Sequence, residues 1–318
     1  MTFRIMPSLR VSEALTLVRN TIKNSYDALP VEKQKKYPEL VAVSKLKPKE
    51  MIIEAYDSGQ RCFGENYAIF ISTLYEAEAA NPINFVCPET GSNLIQELME
   101  KSTDPEILEK CPKIKWHFIG HLQSNKVSKL PSIPNLCMVE TIHSVKLANL
   151  LNNAFSKTAD SKKLSIMIQV NTSGESNKSG TEPSETFSLV SHVLEKCPQL
   201  EFKGLMTIGA LGRSIALPAD RFNEDFVSLV ECKTTICDKL NLNPDCIALS
   251  MGMSSDFEHA IAMGSNSVRV GSTIFGAREK KPIKNVSATN IDDQGKESST
   301  SEEASNIVQA VKNVNLAS

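Results

Sequence analysis

Lys45 ends a short apolar run, and its chemistry depends on the surroundings that this run predicts. The run Leu40–Lys45 is rich in β-branched residues and is soon stopped by Pro48, which is typical of a buried strand. Burial disfavours an ammonium ion, so an amine at the mouth of an apolar barrel can attack an aldehyde near neutral pH. The alternative is a solvated lysine at a strand end, which is the commoner case for a single lysine.

A second group of residues, near the C-terminus, has the composition of an anion-binding loop. The segments Leu249–Asp256 and Val268–Gly276 are rich in glycine and hydroxyl residues. Small side chains let backbone N–H groups approach phosphate oxygens, and the helix predicted from Asp256 onward would add its dipole. Taken alone, such a cluster is more often a turn.

Arg269 lies within the second of these segments, in an otherwise apolar run. A buried charge requires a partner. The partner is either a buried carboxylate or a ligand, and the carboxylate is the commoner explanation for a single arginine.

Eight strand-like runs position these residues, and helical patterns separate most of the runs. The predicted strands are Leu40–Lys45, Cys62–Glu65, Lys115–Gly120, Met138–Ile142, Leu164–Asn171, Phe202–Gly209, Ile247–Met253 and Ser267–Phe275. The predicted helices are an opening helix from Val11 to Leu29, capped by Ser12, and the segments Pro48–Ser58, Val145–Lys157, Glu182–Lys196 and Ala219–Leu240. This alternation indicates parallel βαβ units and favours a single α/β fold, the (β/α)8 barrel. A doubly wound open sheet is the alternative, but no Gly-x-Gly-x-x-Gly follows the first strand.

In such a barrel, the lysine and the anion-binding loops meet at one mouth. The loops after the seventh and eighth strands commonly bind phosphate. The ligand would therefore have an aldehyde at one end and a phosphate at the other. Pyridoxal 5'-phosphate (PLP) fits, with Arg269 facing its pyridine nitrogen. An arginine keeps that nitrogen unprotonated, which weakens the ring as an electron sink and does not favour carbanion chemistry.

The sequence also resembles the YggS/PROSC-type family of pyridoxal phosphate homeostasis proteins. The shared motifs occur in colinear order between about residue 10 and Arg278. They are Ala42–Lys45, Phe63–Tyr67, Trp116–Lys126, Val170–Gly174, Lys178–Gly180, Gly204–Gly209, Leu249–Ser254 and Val268–Gly271. Each motif is weak alone, but the ordered set is very specific.

The resemblance implies a fold and a set of cofactor-binding residues. The fold is that of the first domain of alanine racemase, the barrel of fold-type III PLP enzymes, without the second β-domain. Lys45 would form a Schiff base with PLP, and Arg269 would lie near the ring nitrogen. Ser250, Ser254, Gly271 and Ser272 would hold the phosphate, and Asn66, Ile119, Ser144 and Met206 would line the ring pocket. Ser272 stands where the family has threonine, and the hydroxyl is retained.

Simpler roles remain open for the four ring-pocket residues. Ile119 and Met206 could be core residues, and Asn66 and Ser144 could cap local turns.

The family is regarded as a carrier or regulator of PLP that could supply the cofactor to apo-enzymes, without established turnover, and no catalytic residue is assigned. A PLP-dependent amino-acid racemase is the first alternative. It needs a second acid or base, for which His117, His121 and His143 are candidates that are more often structural. A class I aldolase-like barrel that uses Lys45 on a phosphosugar is the second alternative.

The composition of the chain limits which kinds of binding partner and which cellular compartment are expected. The chain has 318 residues and a net charge of −2, which argues against nucleic acid and membrane surfaces. Eight cysteines without a Cys-x-x-Cys pair are expected to be reduced thiols and not disulfides or metal ligands. A cytoplasmic protein is therefore expected, with a mitochondrial pool still open. No exposed apolar stripe is left over, so a monomer is predicted.

Two parts of the chain are predicted to differ from the barrel of residues 1–278. Residues 279–318 are polar and are predicted to form a disordered tail, with a marginal helix at Ile307–Val314. The segment Ala68–Leu94 interrupts the family pattern after Tyr67. It is either a lid over the mouth at the second strand or a gene-model artefact. The artefact is favoured because the segment splits a helix start and a loop of this length is unusual in a barrel.

Overall fold

A computed structural model describes residues 10–66, 95–158, 163–175, 178–210, 213 and 222–277. The predicted tail 279–318, its helix at Ile307–Val314 and the segment Ala68–Leu94 lie outside the described residues.

The described strands form a closed parallel barrel, which confirms the predicted (β/α)8 fold and excludes the open sheet. Each strand pairs with its neighbour in sequence, and β8 pairs with β1 to close the ring. The strands are β1 Glu39–Val43, β2 Cys62–Glu65, β3 Lys115–Phe118, β4 Leu136–Ile142, β5 Leu164–Gln169, β6 Leu200–Met206, β7 Ala248–Ser250 and β8 Ser267–Val270.

Helices surround the barrel and follow most of the strands. They are α1 Val11–Asp27, α2 Lys49–Asp57, α3 Gln96–Ser102, α4 Pro105–Lys110, α5 Val145–Phe155, α6 Thr186–Lys196, α7 Glu224–Leu240, α8 Phe257–Ala262 and α9 Ser272–Phe275. A 3₁₀ segment, Ser124–Ser132, takes the place of a helix after β3. Within the described ranges, no helix combines the length and the apolar character that crossing a membrane requires.

The strands divide their side chains between a helix-facing layer and the barrel interior. Successive residues of a strand point to opposite faces. Phe63 and Trp116 are fully buried and contact each other with ring centroids 5.9 Å apart. Their neighbours Gly64 and His117 face inward, where a Cβ on Gly64 would lie 3.0 Å from the side chains of Ile119 and Val41. Apolar packing therefore holds the outer layer, and the interior is free to carry polar groups.

The sequence predictions were wrong at several element boundaries; the sixth strand, for example, was predicted as Phe202–Gly209 and is Leu200–Met206. Ser12 does not cap α1, because the backbone N–H of Arg10 donates to Glu13 and the Ser12 N–H donates to Glu54 Oε1 at 3.2 Å. Helix α7 begins at Glu224, because the Asn223 side chain caps it by accepting the N–H of Asp225, so the predicted helix is wrong at Phe222 and Asn223. Its predicted start at Ala219 lies outside the described residues.

A further error is the C-terminal part of the eighth strand, which was predicted to continue to Phe275. The strand ends at Val270, and Ser272–Phe275 is helical. The N–H groups of Ile274 and Phe275 bond to the carbonyl of Gly271. A Cβ on Gly271 would lie 3.2 Å from Val43 Cβ, so the glycine lets the chain turn close against β1.

Candidate cofactor site

A cavity of about 350 Å³ lies at the mouth formed by the carboxyl ends of the strands. Eight of the ten sequence-predicted cofactor residues line it: Lys45, Asn66, Ile119, Met206, Ser254, Arg269, Gly271 and Ser272. The catalytic faces of (β/α)8 barrels lie at this end of the strands. The fold therefore brings together residues that are up to 227 positions apart in the sequence (45 to 272).

Lys45 lies two residues beyond β1, and the backbone on both sides of it is held by charged groups. On one side, the Ser44 hydroxyl donates to Glu65 Oε1 at 2.6 Å and is fully buried. On the other, Leu46 adopts φ 58°, which is unfavourable for a residue with a Cβ. Its N–H donates to Glu97 Oε1 at 2.5 Å. Tertiary contacts therefore fix the turn that carries Lys45.

Lys101 on α3 connects these two contacts. Its ammonium donates to Glu65 Oε1 at 2.9 Å, to Glu97 Oε1 at 2.7 Å and to the Ser44 carbonyl at 2.7 Å. We refer to Ser44, Glu65, Glu97 and Lys101 as the amine-side network. Burial raises the pKa of Glu65 to about 7; the positive charge of Lys101 opposes this shift and the negative charge of Glu97 adds to it. This network therefore changes charge near neutral pH.

Arg269 lies on β8, the strand that pairs with β1, and is 4% exposed. Its Nη1 donates to Ser250 Oγ at 2.5 Å, and its Nη2 donates to the Thr207 carbonyl at 2.6 Å. The Ser250 hydroxyl donates in turn to Glu140 Oε2 at 2.6 Å. The sequence left open whether the partner of Arg269 is a carboxylate or a ligand. In the structure, Ser250 connects Arg269 to the Glu140 carboxylate by hydrogen bonds. Arg269 also lines the cavity, where a ligand could contact it.

His117 completes this buried chain of polar groups. Its Nδ1 lies 2.7 Å from Glu140 Oε1, and both side chains are at most 2% exposed. We refer to His117, Glu140, Ser250 and Arg269 as the ring-side network. Burial would raise the pKa of Glu140, but the hydrogen bond and charge of His117, and the charge of Arg269, lower it below its usual value. Glu140 is therefore a fixed anion beneath the cavity.

The sequence reasoning missed Glu140, although a signal was present. Glu140 is the charged residue of the apolar run Met138–Ile142, so the argument that singled out Arg269 applies to it equally.

The glycine and serine segments form the third wall of the cavity. The Gly271 N–H donates to Ser254 Oγ at 3.2 Å, which joins the loops after β7 and β8. The helix predicted from Asp256 is confirmed as α8, and the Asp256 carboxylate accepts the Met253 N–H at 2.6 Å. Ser272 is exposed and begins α9. This wall presents hydroxyls and backbone N–H groups without a carboxylate among its lining residues.

The structure places the other two predicted residues away from the cavity lining. Ser250 is fully buried, with its hydroxyl engaged by Arg269 and Glu140. Ser144 caps α5, accepting the Leu147 N–H at 3.3 Å, which agrees with the simpler role left open for it. Direct contact of Ser144 and Ser250 with PLP stays a prediction.

The three histidines considered as acid or base groups do not line the described cavity. His117 is bound to Glu140 inside the barrel. His121 and His143 stack with ring centroids 5.3 Å apart, and His121 hydrogen-bonds to Ser179 at 2.7 Å. Each therefore has a structural contact in the part of the chain that the structure describes.

The fold and these side chains define a (β/α)8 barrel whose mouth presents a lysine just after the first strand, an arginine on the eighth and a turn rich in glycine and serine. The chain belongs to the alanine racemase N-terminal domain family, whose model matches residues 32–279.

Comparison with individual relatives confirms the resemblance to pyridoxal phosphate homeostasis proteins. It is 44% identical over 285 residues to the human protein named pyridoxal phosphate homeostasis protein, covering 89% of this chain and 93% of the human one. PipY from Synechococcus elongatus, solved with PLP bound, superposes with a TM-score of 0.60 at 26% identity, covering 84% of this chain and 100% of PipY. Alanine racemase from Corynebacterium glutamicum, at 13% identity and a TM-score of 0.51 over 84% and 62% of the two chains, shares the fold alone.

Proposed function

We propose that the chain binds PLP in this cavity as a Schiff base on Lys45 and serves PLP homeostasis by holding the cofactor and supplying it to apo-enzymes. The observation that carries the proposal is the convergence of Lys45, Arg269 and the Gly271 turn on one cavity. Support comes from the human relative, whose name states PLP homeostasis, and from PipY, whose structure holds PLP.

The residues present suit the cofactor. Ile119 and Met206 offer apolar surface for a ring, and Arg269 offers a cation at its edge. Ser254, Ser272 and the turn at Gly271 offer hydroxyl and N–H donors for a phosphate. A Cβ at Gly271 would press against Val43, so the close approach of these backbone groups depends on glycine.

The proposed function requires a reversible condensation between the Lys45 amine and the aldehyde of PLP. PLP, when bound, supplies an aldehyde. Lys45 Nζ forms the bond to the aldehyde carbon and one water leaves; addition of water restores the amine. The amine-side network positions Lys45, and the ring-side network keeps Arg269 in place with its charge balanced by Glu140. A bond that forms and hydrolyses in this way suits holding and release.

The same lining argues against racemisation. Among the described residues that line the cavity, the ionisable groups are Lys45, Lys47 and Arg269. A racemase requires a second proton-transfer group on the far face of the cofactor, and no carboxylate, imidazole or phenol in this described lining offers one. We therefore propose a carrier without turnover. The seven cysteines of the described ranges are free thiols, which supports the proposal of a cytoplasmic role.

The test is the visible spectrum of the full chain loaded with PLP. We expect a yellow protein for the parent chain and for Lys47→Ala, and a colourless one for Lys45→Ala. Borohydride should then fix one PLP-derived mass on the peptide that contains Lys45. A Lys45→Ala protein that keeps the parent spectrum would refute the covalent assignment. Trapping of a phosphosugar in place of PLP would favour an aldolase.

The carrier role has its own test. Parent protein loaded with PLP is mixed with an apo PLP enzyme, with and without an excess of a free-PLP scavenger. We expect activation that the scavenger does not abolish. Rapid Cα proton–deuterium exchange of alanine by the loaded protein would instead favour a racemase.

A further inference from the structure

A second cluster of chemically competent side chains lies at the opposite end of the barrel interior. Glu39 is the first residue of β1, Cys62 is the first of β2, and His117 lies on β3. One ligand atom from each lies within 4.8 Å of the other two, and Cys62 Sγ lies 3.1 Å from Glu39 Oε1. These residues do not line the cofactor cavity. The cluster therefore requires its own explanation.

The orientation of His117 is the first feature that indicates a ligand. Glu140 engages its Nδ1 at 2.7 Å, which leaves Nε2 for the cluster. Histidines that bind metals almost always donate their other ring nitrogen to a carboxylate or carbonyl, which fixes the ring and the tautomer. His117 also interacts with a second thiol, that of Cys137 on β4. Glu140 thus already holds the imidazole so that its other nitrogen, Nε2, is directed toward the two cysteine thiols.

An independent observation comes from β8. Ser267 is 3% exposed, and its hydroxyl has no hydrogen-bond partner among the described residues. It pairs directly with Glu39 across the β1–β8 ladder and lies two residues before the inward-facing Arg269. A buried hydroxyl without a partner at the level of the cluster indicates that water or a hydrated ion belongs there.

We propose that Glu39, Cys62 and His117 bind a divalent cation of the zinc class, with Cys137 in reach of the fourth position. One thiolate, one carboxylate and a neutral imidazole balance the charge of such a cation, and thiolate and imidazole select zinc over magnesium or calcium. Tetrahedral zinc places ligand atoms about 3.3–3.8 Å apart. The cluster reaches this spacing by side-chain adjustments of about 1 Å. Binding releases two protons to solvent, one from the Cys62 thiol and one from Nε2 of the protonated His117. The exposed Glu39 gives the ion a route in.

The experiment uses the full chain, reduced and freed of metal with a chelator, and titrates it with Co²⁺ and then Zn²⁺. We expect one equivalent of Co²⁺ to give a thiolate-to-cobalt charge-transfer band and intense visible bands of a tetrahedral ion, with Zn²⁺ displacing both. Glu39→Gln should keep the charge-transfer band but weaken Zn²⁺ binding about tenfold or more. The double variant Cys62→Ser/Cys137→Ser should lose the band.

Cys197→Ser is the matched control, because Cys197 is a buried thiol after α6 whose Sγ contacts Asn149 of α5. It should bind Co²⁺ as the parent chain does. The proposal is overturned if Co²⁺ keeps the spectrum of its aqueous ion, if the double variant retains the parent band, or if Glu39→Gln binds Zn²⁺ as tightly as the parent. The last measurement decides even if the double variant does not fold, because Glu39 is exposed.

Discussion

Two charge networks hold Lys45 and Arg269 at the cofactor cavity and use similar side chains in different surroundings. In the ring-side network, His117, Glu140 and Arg269 are at most 4% exposed. In the amine-side network, the side chains of Lys101 and Glu97 are 11% and 18% exposed, and Glu65 is buried. The first network surrounds one carboxylate with cationic groups. The second places two carboxylates around one ammonium.

The difference in charge balance separates a fixed network from one that titrates. Cationic neighbours lower the pKa of Glu140, whereas burial and a second carboxylate raise the pKa of Glu65 to about 7. The pyridine nitrogen of bound PLP would therefore face a network whose charge does not change around neutral pH. The backbone that carries Lys45 is held by a group whose charge changes there.

The largest expected effect is on the ring side. Glu140→Leu leaves Arg269 buried without its carboxylate, and breaking a buried pair in this way costs about 3–5 kcal/mol of unfolding free energy. Glu140→Gln, which keeps a hydrogen-bonding group opposite Ser250, should cost less, about 1–3 kcal/mol. Denaturant unfolding of the metal-free apo-protein measures both. Equal stability of the parent and Glu140→Leu would mean that Arg269 does not depend on this carboxylate.

The second effect is a pH dependence on the amine side. The Glu65 pKa is raised from 4.5 to about 7, so between these values the folded chain binds more protons than the unfolded chain. Its contribution is present below about pH 4.5 and is lost as the pH rises through about 7. The upper limit of this contribution is about 3 kcal/mol.

Comparison with Glu65→Gln isolates this term, because other titrating groups cancel in the difference. The parent should exceed Glu65→Gln in unfolding free energy by more at about pH 5 than at about pH 8. A difference that does not change with pH would show that Glu65 titrates as an ordinary carboxyl.

The third effect tests the cation of the amine-side network. Lys101→Met leaves two carboxylates facing each other, but partial exposure lets water enter, so we expect a loss of about 1–3 kcal/mol. Lys110→Met is the matched control, since Lys110 pairs with Glu106 on the surface and is 52% exposed. The control should change stability by about 0.5 kcal/mol or less. A Lys101→Met protein as stable as the control would remove the distinction between this network and a surface ion pair.

The two networks also show which parts of the fold and of the candidate site could be predicted from the sequence. The apolar runs predicted every strand of the barrel, because a strand that is buried on both faces consists of nearly continuous apolar residues that can be recognised in the sequence. Strand ends were less accurate, since Gly271 ends β8 through a contact with Val43 that only the closed barrel creates. Lys45, Arg269 and the serine and glycine segments were found because their chemistry is unusual for their local pattern.

The connections between these residues could not be predicted in the same way. Ser250 and Glu140 are 110 positions apart, and Glu97 reaches Leu46 across 51. Their pairing depends on which inward-facing side chains meet at one level of the barrel. Cys62, His117 and Glu39 illustrate the same point: scattered cysteines suggested inert thiols, and only the closed barrel brings one beside an imidazole and a carboxylate.

The smallest expected effect lies on the third wall of the cavity, which has neither network. Ser272 is exposed and keeps the hydroxyl of the family's threonine, so Ser272→Thr should change PLP retention by less than about twofold and unfolding free energy by less than about 0.5 kcal/mol. Ser272→Ala removes a donor to a charged group and should weaken retention by about tenfold or more. Dialysis of loaded protein followed by its visible absorbance measures retention. Equal PLP retention by Ser272→Ala and the parent would mean that backbone N–H groups hold the phosphate without this hydroxyl. The third wall would then bind PLP through its backbone, whereas the two networks rely on side chains.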